Sequence, residues 1–143
     1  MPRVKIQLPE KFSFVTEIPV RITDVNYGGH VGNDSILGIL HEARLRFLKH
    51  HGYSEMDLGG SGMIMADVAI EFKHEAFYGD TVIASVAAND FQRVSFDIYY
   101  KLEKESNGEK LTVAIAKTGL VCYNYSSKKN CNLPVEVVNQ LSS

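Results

Sequence analysis

An excess of charge of either sign is what this sequence lacks: Lys+Arg 15 against Asp+Glu 17 leaves a formal net charge of -2. That balance supplies no general attraction to nucleic acid or to an anionic membrane, and neither is expected as a partner. Cysteine is scarce, with only Cys122 and Cys131. No Cys or His spacing has the pattern of a zinc site, and a disulfide between the two is the minority reading in a reducing compartment. No apolar run approaches the roughly 20 residues that cross a bilayer. The start, Met-Pro-Arg-Val-Lys-Ile-Gln, also lacks the apolar core of a signal peptide. These absences lead to the expectation of a cytoplasmic protein. Internal repeats, low-complexity tracts and linkers are missing too, which leaves a single domain over residues 1–143, long enough for a buried core.

With 45% hydrophobic and 22% charged residues the chain has the composition of a folded globular protein. Its organising stretch runs from Arg21 to Gly52. Gly28 and Gly29 allow a sharp bend or positive φ. Asn33, Asp34 and Ser35 offer N-cap chemistry, and Gly52 supplies a stop, so the spacing predicts a helix over 33–52. Ile36, Leu37, Ile39, Leu40 and Ala43 make its first half apolar nearly all round, the mark of a helix wrapped by other structure. In the second half Leu45, Phe47 and Leu48 are expected to make apolar contact, with Arg44, Arg46, Lys49 and His51 towards water. A helix start leaves backbone N–H groups unpaired and partly positive, fit to grip a carbonyl oxygen or an anion.

Residues 1–11 read as a loosely held lead-in. Phe12 to Ile22 alternates as a strand in which Pro19 marks a bulge or an edge. Beyond a Gly-rich loop at 57–62 the rest is strand-like: Met63 to Phe72, Thr81 to Ala88, Val94 to Leu102 with Phe96, Ile98 and Tyr100 on one side, and Leu111 to Tyr125. Ser106-Asn107-Gly108 predicts a hairpin between the last two. Val135 to Leu141 reads as a short terminal helix, with Pro134 at its first position. One long helix and a mainly antiparallel sheet define an α+β fold, with the sheet curling around the helix.

The segment Asp24-Val-Asn26-Tyr-Gly-Gly29-His30-Val31-Gly-Asn33 resembles the Asp-x-Asp-x-x-Gly-His-Val-x-Asn signature of hot-dog-fold acyl-CoA thioesterases, in the 4-hydroxybenzoyl-CoA thioesterase-like family. His41-Glu42-Ala43-Arg44 is similar to that family's Glu-Glu-Ala-Arg. Val68 to Lys73, followed by Gly79-Asp80, is similar to its second strand and Gly-Asp turn. The resemblance covers roughly Phe12 to Leu141. It implies a hot-dog fold, with an antiparallel five- to six-stranded sheet wrapped around one long central helix. It further implies a homodimer or homotetramer that pairs its sheets, an acyl-CoA or acyl-carrier-protein thioester bound at the subunit interface, and no metal or redox cofactor. The amide opening the central helix, here that of Asn33, would polarise the thioester carbonyl.

The chain departs from that pattern at Asn26, which stands where many relatives have a carboxylate acting as nucleophile or base. An amide cannot take that proton. Asn26 either orients water or the acyl group, or closes the turn through its own side chain. His30 is a candidate base and also a plausible backbone-bonded loop residue. Asp24 is a candidate carboxylate and, more ordinarily, a turn anchor. Glu42 either pairs with Arg46 one helical turn on or faces inward, where burial would suit it to acid or base work. Lys73 and Arg93, with Lys128 and Lys129, are weak candidates for CoA phosphates, each having a solvated surface charge as its ordinary reading. The expected activity is hydrolysis of an acyl thioester to a free acid and CoA. The competing readings are an acyl-thioester hydratase or dehydratase on the same scaffold, and a non-catalytic acyl-CoA binder.

Overall fold

The computed structural model describes residues 3–142, so Met1 and Pro2 of the expected lead-in, and Ser143 at the end of the expected domain, lie outside the described residues. The chain forms β1 (Phe14–Pro19), a 3-10 turn (Ile22–Asp24), α1 (Asn33–His50), β2 (Gly62–Phe72), β3 (Thr81–Asn89), β4 (Ser95–Ser106), β5 (Glu109–Asn124), a short β6 (Lys129–Asn130) and α2 (Val135–Leu141). The strands make one antiparallel sheet in the order β1-β3-β4-β5-β2, with β6 paired to the end of β5. This is the six-stranded hot-dog arrangement that the resemblance implied.

The alternation read along β4 holds through the whole strand. Phe96, Ile98, Tyr100 and Leu102 are all buried, facing the same core as Val82, Ala84 and Val86 of β3. Asn107 and Gly108 turn the β4–β5 hairpin with φ of 53° and 81°, the doubly positive turn that matches the twist of the flanking strands. Pro19 is the last residue of β1, an edge strand, where its missing N–H breaks no ladder. Pro134 caps α2 instead of occupying its first helical position. The lead-in is less loose than expected. It has no regular structure from residue 3, but Ile6 N donates to Glu71 Oε2 at 2.6 Å and so ties the segment to β2.

Helix α1 packs on the sheet through Ile36, Ile39, Leu40, Ala43, Phe47 and Leu48, spaced three and four apart. Two expectations about its faces are corrected. Leu37 and Leu45 are exposed, whereas Arg44, expected towards water, is only 6% exposed. The helical period puts position 44 on the stripe of Leu40 and Leu48. The buried guanidinium is tolerated because Nε donates to Glu55 Oε2 at 3.1 Å and Nη1 to Tyr100 Oη at 3.3 Å, while Tyr100 Oη and Thr118 Oγ1 lie 2.7 Å apart.

His51 caps the other end of α1, with its ring centroid 5.0 Å from that of Phe47 and 5.1 Å from that of His50. It too departs from the water-facing expectation, since its Nε2 is buried without a hydrogen-bond partner. Burial, with a smaller push from His50, lowers the His51 pKa below the ordinary 6.5. A folded pKa below the unfolded one gives stability that is complete above about pH 6.5 and is lost as pH falls through the folded value. Melting curves at about pH 7.5 and pH 5.5 should therefore show an acid loss that is smaller in His51→Phe than in the wild type. Equal losses would remove His51 from the account.

Candidate active site

Between β1 and α1 the chain is fixed by bonds between backbone groups together with the side chains of Asp24 and Asn26. The Asp24 carboxylate, 5% exposed, accepts from the Arg21 amide at 2.8 Å and from its guanidinium at 3.2 and 3.4 Å. Val25 and Val31 pair as an antiparallel bridge. Inside that bridge Asn26 N donates to His30 O at 2.9 Å, and Gly29 N to Asn26 O at 3.0 Å. Asn26 Oδ1 accepts from Gly28 N at 2.9 Å, an Asx turn. Gly29 takes the positive φ of 82° that a side chain would oppose. At Gly28 the constraint is space: a Cβ would sit 3.2 Å from His30 Cδ2 and 3.3 Å from Nε2, so a side chain there would press on the ring.

A second pairing aligns the next residues with the loop after β2. His30 bridges Phe77, and Val31 N donates to Ala76 O at 2.7 Å. In this register position 75 is the diagonal neighbour of position 30, within reach of a long side chain. His30 Nδ1–H donates to Val31 O at 3.0 Å, since a carbonyl oxygen only accepts, and in the neutral ring this tautomer presents Nε2 as the acceptor. Nε2 faces Glu75, with Oε1 3.8 Å away.

Helix α1 then opens at Gly32, a cap with no side-chain oxygen to offer. Ser35 N and Ile36 N donate to Gly32 O at 3.0 and 3.2 Å. The amides of Asn33 and Asp34, the first two of the helix, have no acceptor within it. Asn33 and His30 line one cavity of about 240 Å³ whose apolar wall is Val31, Ile36, Phe72 and Val113 and whose polar rim includes Glu75. An imidazole acceptor and the positive end of a helix dipole thus share a pocket with an apolar floor. Such a pair suits attack on a carbonyl that must be polarised by fixed donors.

The model of a family described as the thioesterase-like superfamily matches residues 20–141, a span from the end of β1 to the end of α2. The chain belongs to this superfamily. It is 28% identical over 134 residues to the 1,4-dihydroxy-2-naphthoyl-CoA hydrolase of Nostoc punctiforme, covering 92% of this chain and 88% of that protein. Among solved structures, 4-hydroxybenzoyl-CoA thioesterase from a Pseudomonas species superimposes with a TM-score of 0.80 at 14% identity, covering 91% of this chain and 99% of that one. A 1,4-dihydroxy-2-naphthoyl-CoA thioesterase from Synechocystis gives a TM-score of 0.78 at 21% identity, covering 90% and 94%. At those identities the likeness establishes the hot-dog fold.

Within the superfamily's fold the residues singled out from sequence separate into groups. His30 and Asn33 meet in one cavity. Asn26 and Asp24 line a second cavity, of about 360 Å³, on the other flank of the helix start with Gly32 and Ser35. The Asn26 carbonyl oxygen is engaged by its own turn, and the Asp24 carboxylate by Arg21. Glu42 is not brought to either cavity: it lies more than two helical turns along α1, half exposed, with Oε2 2.7 Å from Arg46 Nε. Lys73 reaches the rim of the His30 cavity and pairs with Glu71 at 3.1 Å. Arg93 bonds Asn132 Oδ1 at 2.9 Å at the far end of the sheet, beside the Ser95–Val121 pair, while Phe72 pairs with Ala114 at the site end. Lys128 and Lys129 lie at the β5–β6 turn, at that same far end. Sequence reasoning missed Glu75 altogether. Its only local signal is a charge in the loop after β2, and its meeting with His30 depends on a pairing between segments more than 40 residues apart.

Proposed function

We propose that the protein hydrolyses an acyl-CoA thioester to a free acid and CoA at the start of α1. The observation that carries this reading is the sharing of one cavity by His30 and by Asn33, the first residue of α1. In it the carbonyl oxygen lies against the Asn33 N–H, where fixed dipoles favour the charge that develops on attack. His30 Nε2 accepts the proton of the attacking water. The acyl group rests on Ile36, Phe72 and Val113. Lys73 at the rim meets the phosphates of CoA. Asn26 and Asp24 shape the loop that carries His30, and Glu42 stays on the helix surface with Arg46. The hydrolase in Nostoc punctiforme acts on 1,4-dihydroxy-2-naphthoyl-CoA. That supports CoA as the carrier and an aromatic acyl group as the first to test.

The working unit is a homodimer in the cytoplasm. Support for the dimer comes from β2, an eleven-residue edge strand. Ile64, Met65, Val68 and Phe72 on it are between 38% and 50% exposed, and an open apolar edge of this length is a template for pairing with a second copy.

The test is release of free thiol from aromatic, short-chain and medium-chain acyl-CoAs, with the mass in solution measured on the same sample. Thiol release from at least one acyl-CoA, by a species of twice the 15.9 kDa chain mass or an even multiple of it, is the expected result. A change in enoyl absorbance without thiol would favour a hydratase or dehydratase. Tight binding without turnover, with hydrolysis appearing only in Asn26→Asp, would favour a binder.

A further inference from the structure

We infer that Glu75 is a second catalytic group of this site, holding the attacking water jointly with His30. The inference rests on the hydrolytic reading above and adds to it the carboxylate that position 26 does not provide.

The first argument is geometric. Nε2 of His30 and Oε1 of Glu75 are 3.8 Å apart, too far for a hydrogen bond between them. One water oxygen at about 2.8 Å from each spans that gap, subtending about 85° there, so that its two hydrogens point at the two acceptors through slightly bent hydrogen bonds. A water held so has its lone pairs turned away from both groups, free to attack a carbonyl carbon in the cavity that His30, Glu75 and Asn33 line.

Elimination points the same way. Asp24 is engaged by Arg21, Glu42 by Arg46, and Glu71 by Lys73 and the Ile6 amide. Asp34 lines the other cavity. Among the described residues Glu75 is the one carboxylate in the His30 cavity, and His30 is its only charged or titratable partner. Stability does not account for the contact. The Glu75 side chain is 62% exposed, and exposed pairs of this kind contribute at most about 1 kcal/mol. The backbone, in contrast, fixes the approach, because the pairing of His30 with Phe77 and of Val31 with Ala76 sets the two side chains side by side.

The step balances without a further reactant. The water oxygen bonds to the carbonyl carbon as one of its protons passes to His30 Nε2, and Glu75 holds the other hydrogen and faces the imidazolium that forms. The C–S bond then breaks, the electron pair leaves on sulfur, and the imidazolium returns its proton to the thiolate. The products are a carboxylic acid and CoA thiol.

The test compares wild type, Glu75→Gln and Glu75→Asp on the best acyl-CoA of the panel. Gln keeps shape and exposure but loses the charge, so kcat is expected to fall about 100-fold with KM moving less than about threefold, and Asp to regain part of the loss. A Gln variant within about threefold of wild-type kcat overturns the inference and leaves the hydrolytic reading standing. A loss that appears only in KM also overturns it, since Glu75 would then be a substrate contact. Should Gln lower the melting temperature, the comparison passes to Asp, which must keep more than about a tenth of kcat. No thiol from wild type on any acyl-CoA is the separate outcome that removes the underlying reading.

Discussion

His30→Gln is expected to slow thiol release by about 10²- to 10⁴-fold, the range that a positioned general base contributes. Gln can still donate towards Val31 O, as His30 Nδ1 does at 3.0 Å, so the loop should close as before. It cannot accept a proton at neutral pH. The loss should therefore fall on kcat and kcat/KM together, with the thermal midpoint held, because His30 makes its contact to its own neighbour and not across the core. Steady-state kinetics with a thiol reporter would measure this. A variant that keeps wild-type kcat would show that water attacks without the imidazole as its base.

The second large effect concerns stability. Arg44→Met removes a guanidinium whose side chain is 7% exposed and leaves Glu55, 26% exposed, without its charged partner. Breaking a buried ion pair from one side typically costs about 3–5 kcal/mol, and the partial exposure of Glu55 sets the expectation at the lower end of that range. For a chain of this size that corresponds to a fall in melting temperature on the order of 10 °C. Tyr100 keeps its 2.7 Å contact with Thr118, so most of the cost comes from Glu55, which retains only His41 Nε2 at 2.7 Å. The double variant Arg44→Met with Glu55→Gln should accordingly recover part of the loss. Calorimetry on the three chains decides it: a single variant melting within about 2 °C of wild type would mean that the network contributes little.

These two residues also mark where the sequence could be read and where it could not. The period-2 pattern of β4 and the Asn107-Gly108 turn are properties of adjacent residues, and the structure reproduces them to within a few positions. The start of α1 was visible for the same reason, although its cap proved to be Gly32 and not one of the polar residues that follow. Arg44 was misplaced because a charged side chain outweighed its position on the helical period. The period alone placed it inward, and the partners that make an inward arginine tolerable, Glu55 and Tyr100, are 11 and 56 positions away. The edge character of β2 was equally illegible, since a strand's neighbours are decided by the order of the whole sheet. His30 and Asn33 were found through a motif whose parts are contiguous. Glu75 was not, because the strip of backbone pairing that brings it in joins the loop before α1 to the loop after β2.

That strip gives the site a division of labour. Main-chain bonds from Val25 to Ala76 hold the imidazole in place, and of the side chains lining the pocket only His30 contributes to that support, through its bond to Val31 O. Chemistry and framework are thereby largely uncoupled: groups around the rim such as Glu75 and Lys73 can be exchanged one at a time with the ring left where it stands. A scaffold of that kind can lose one reactive partner and recruit another from a different loop without rebuilding its foundations.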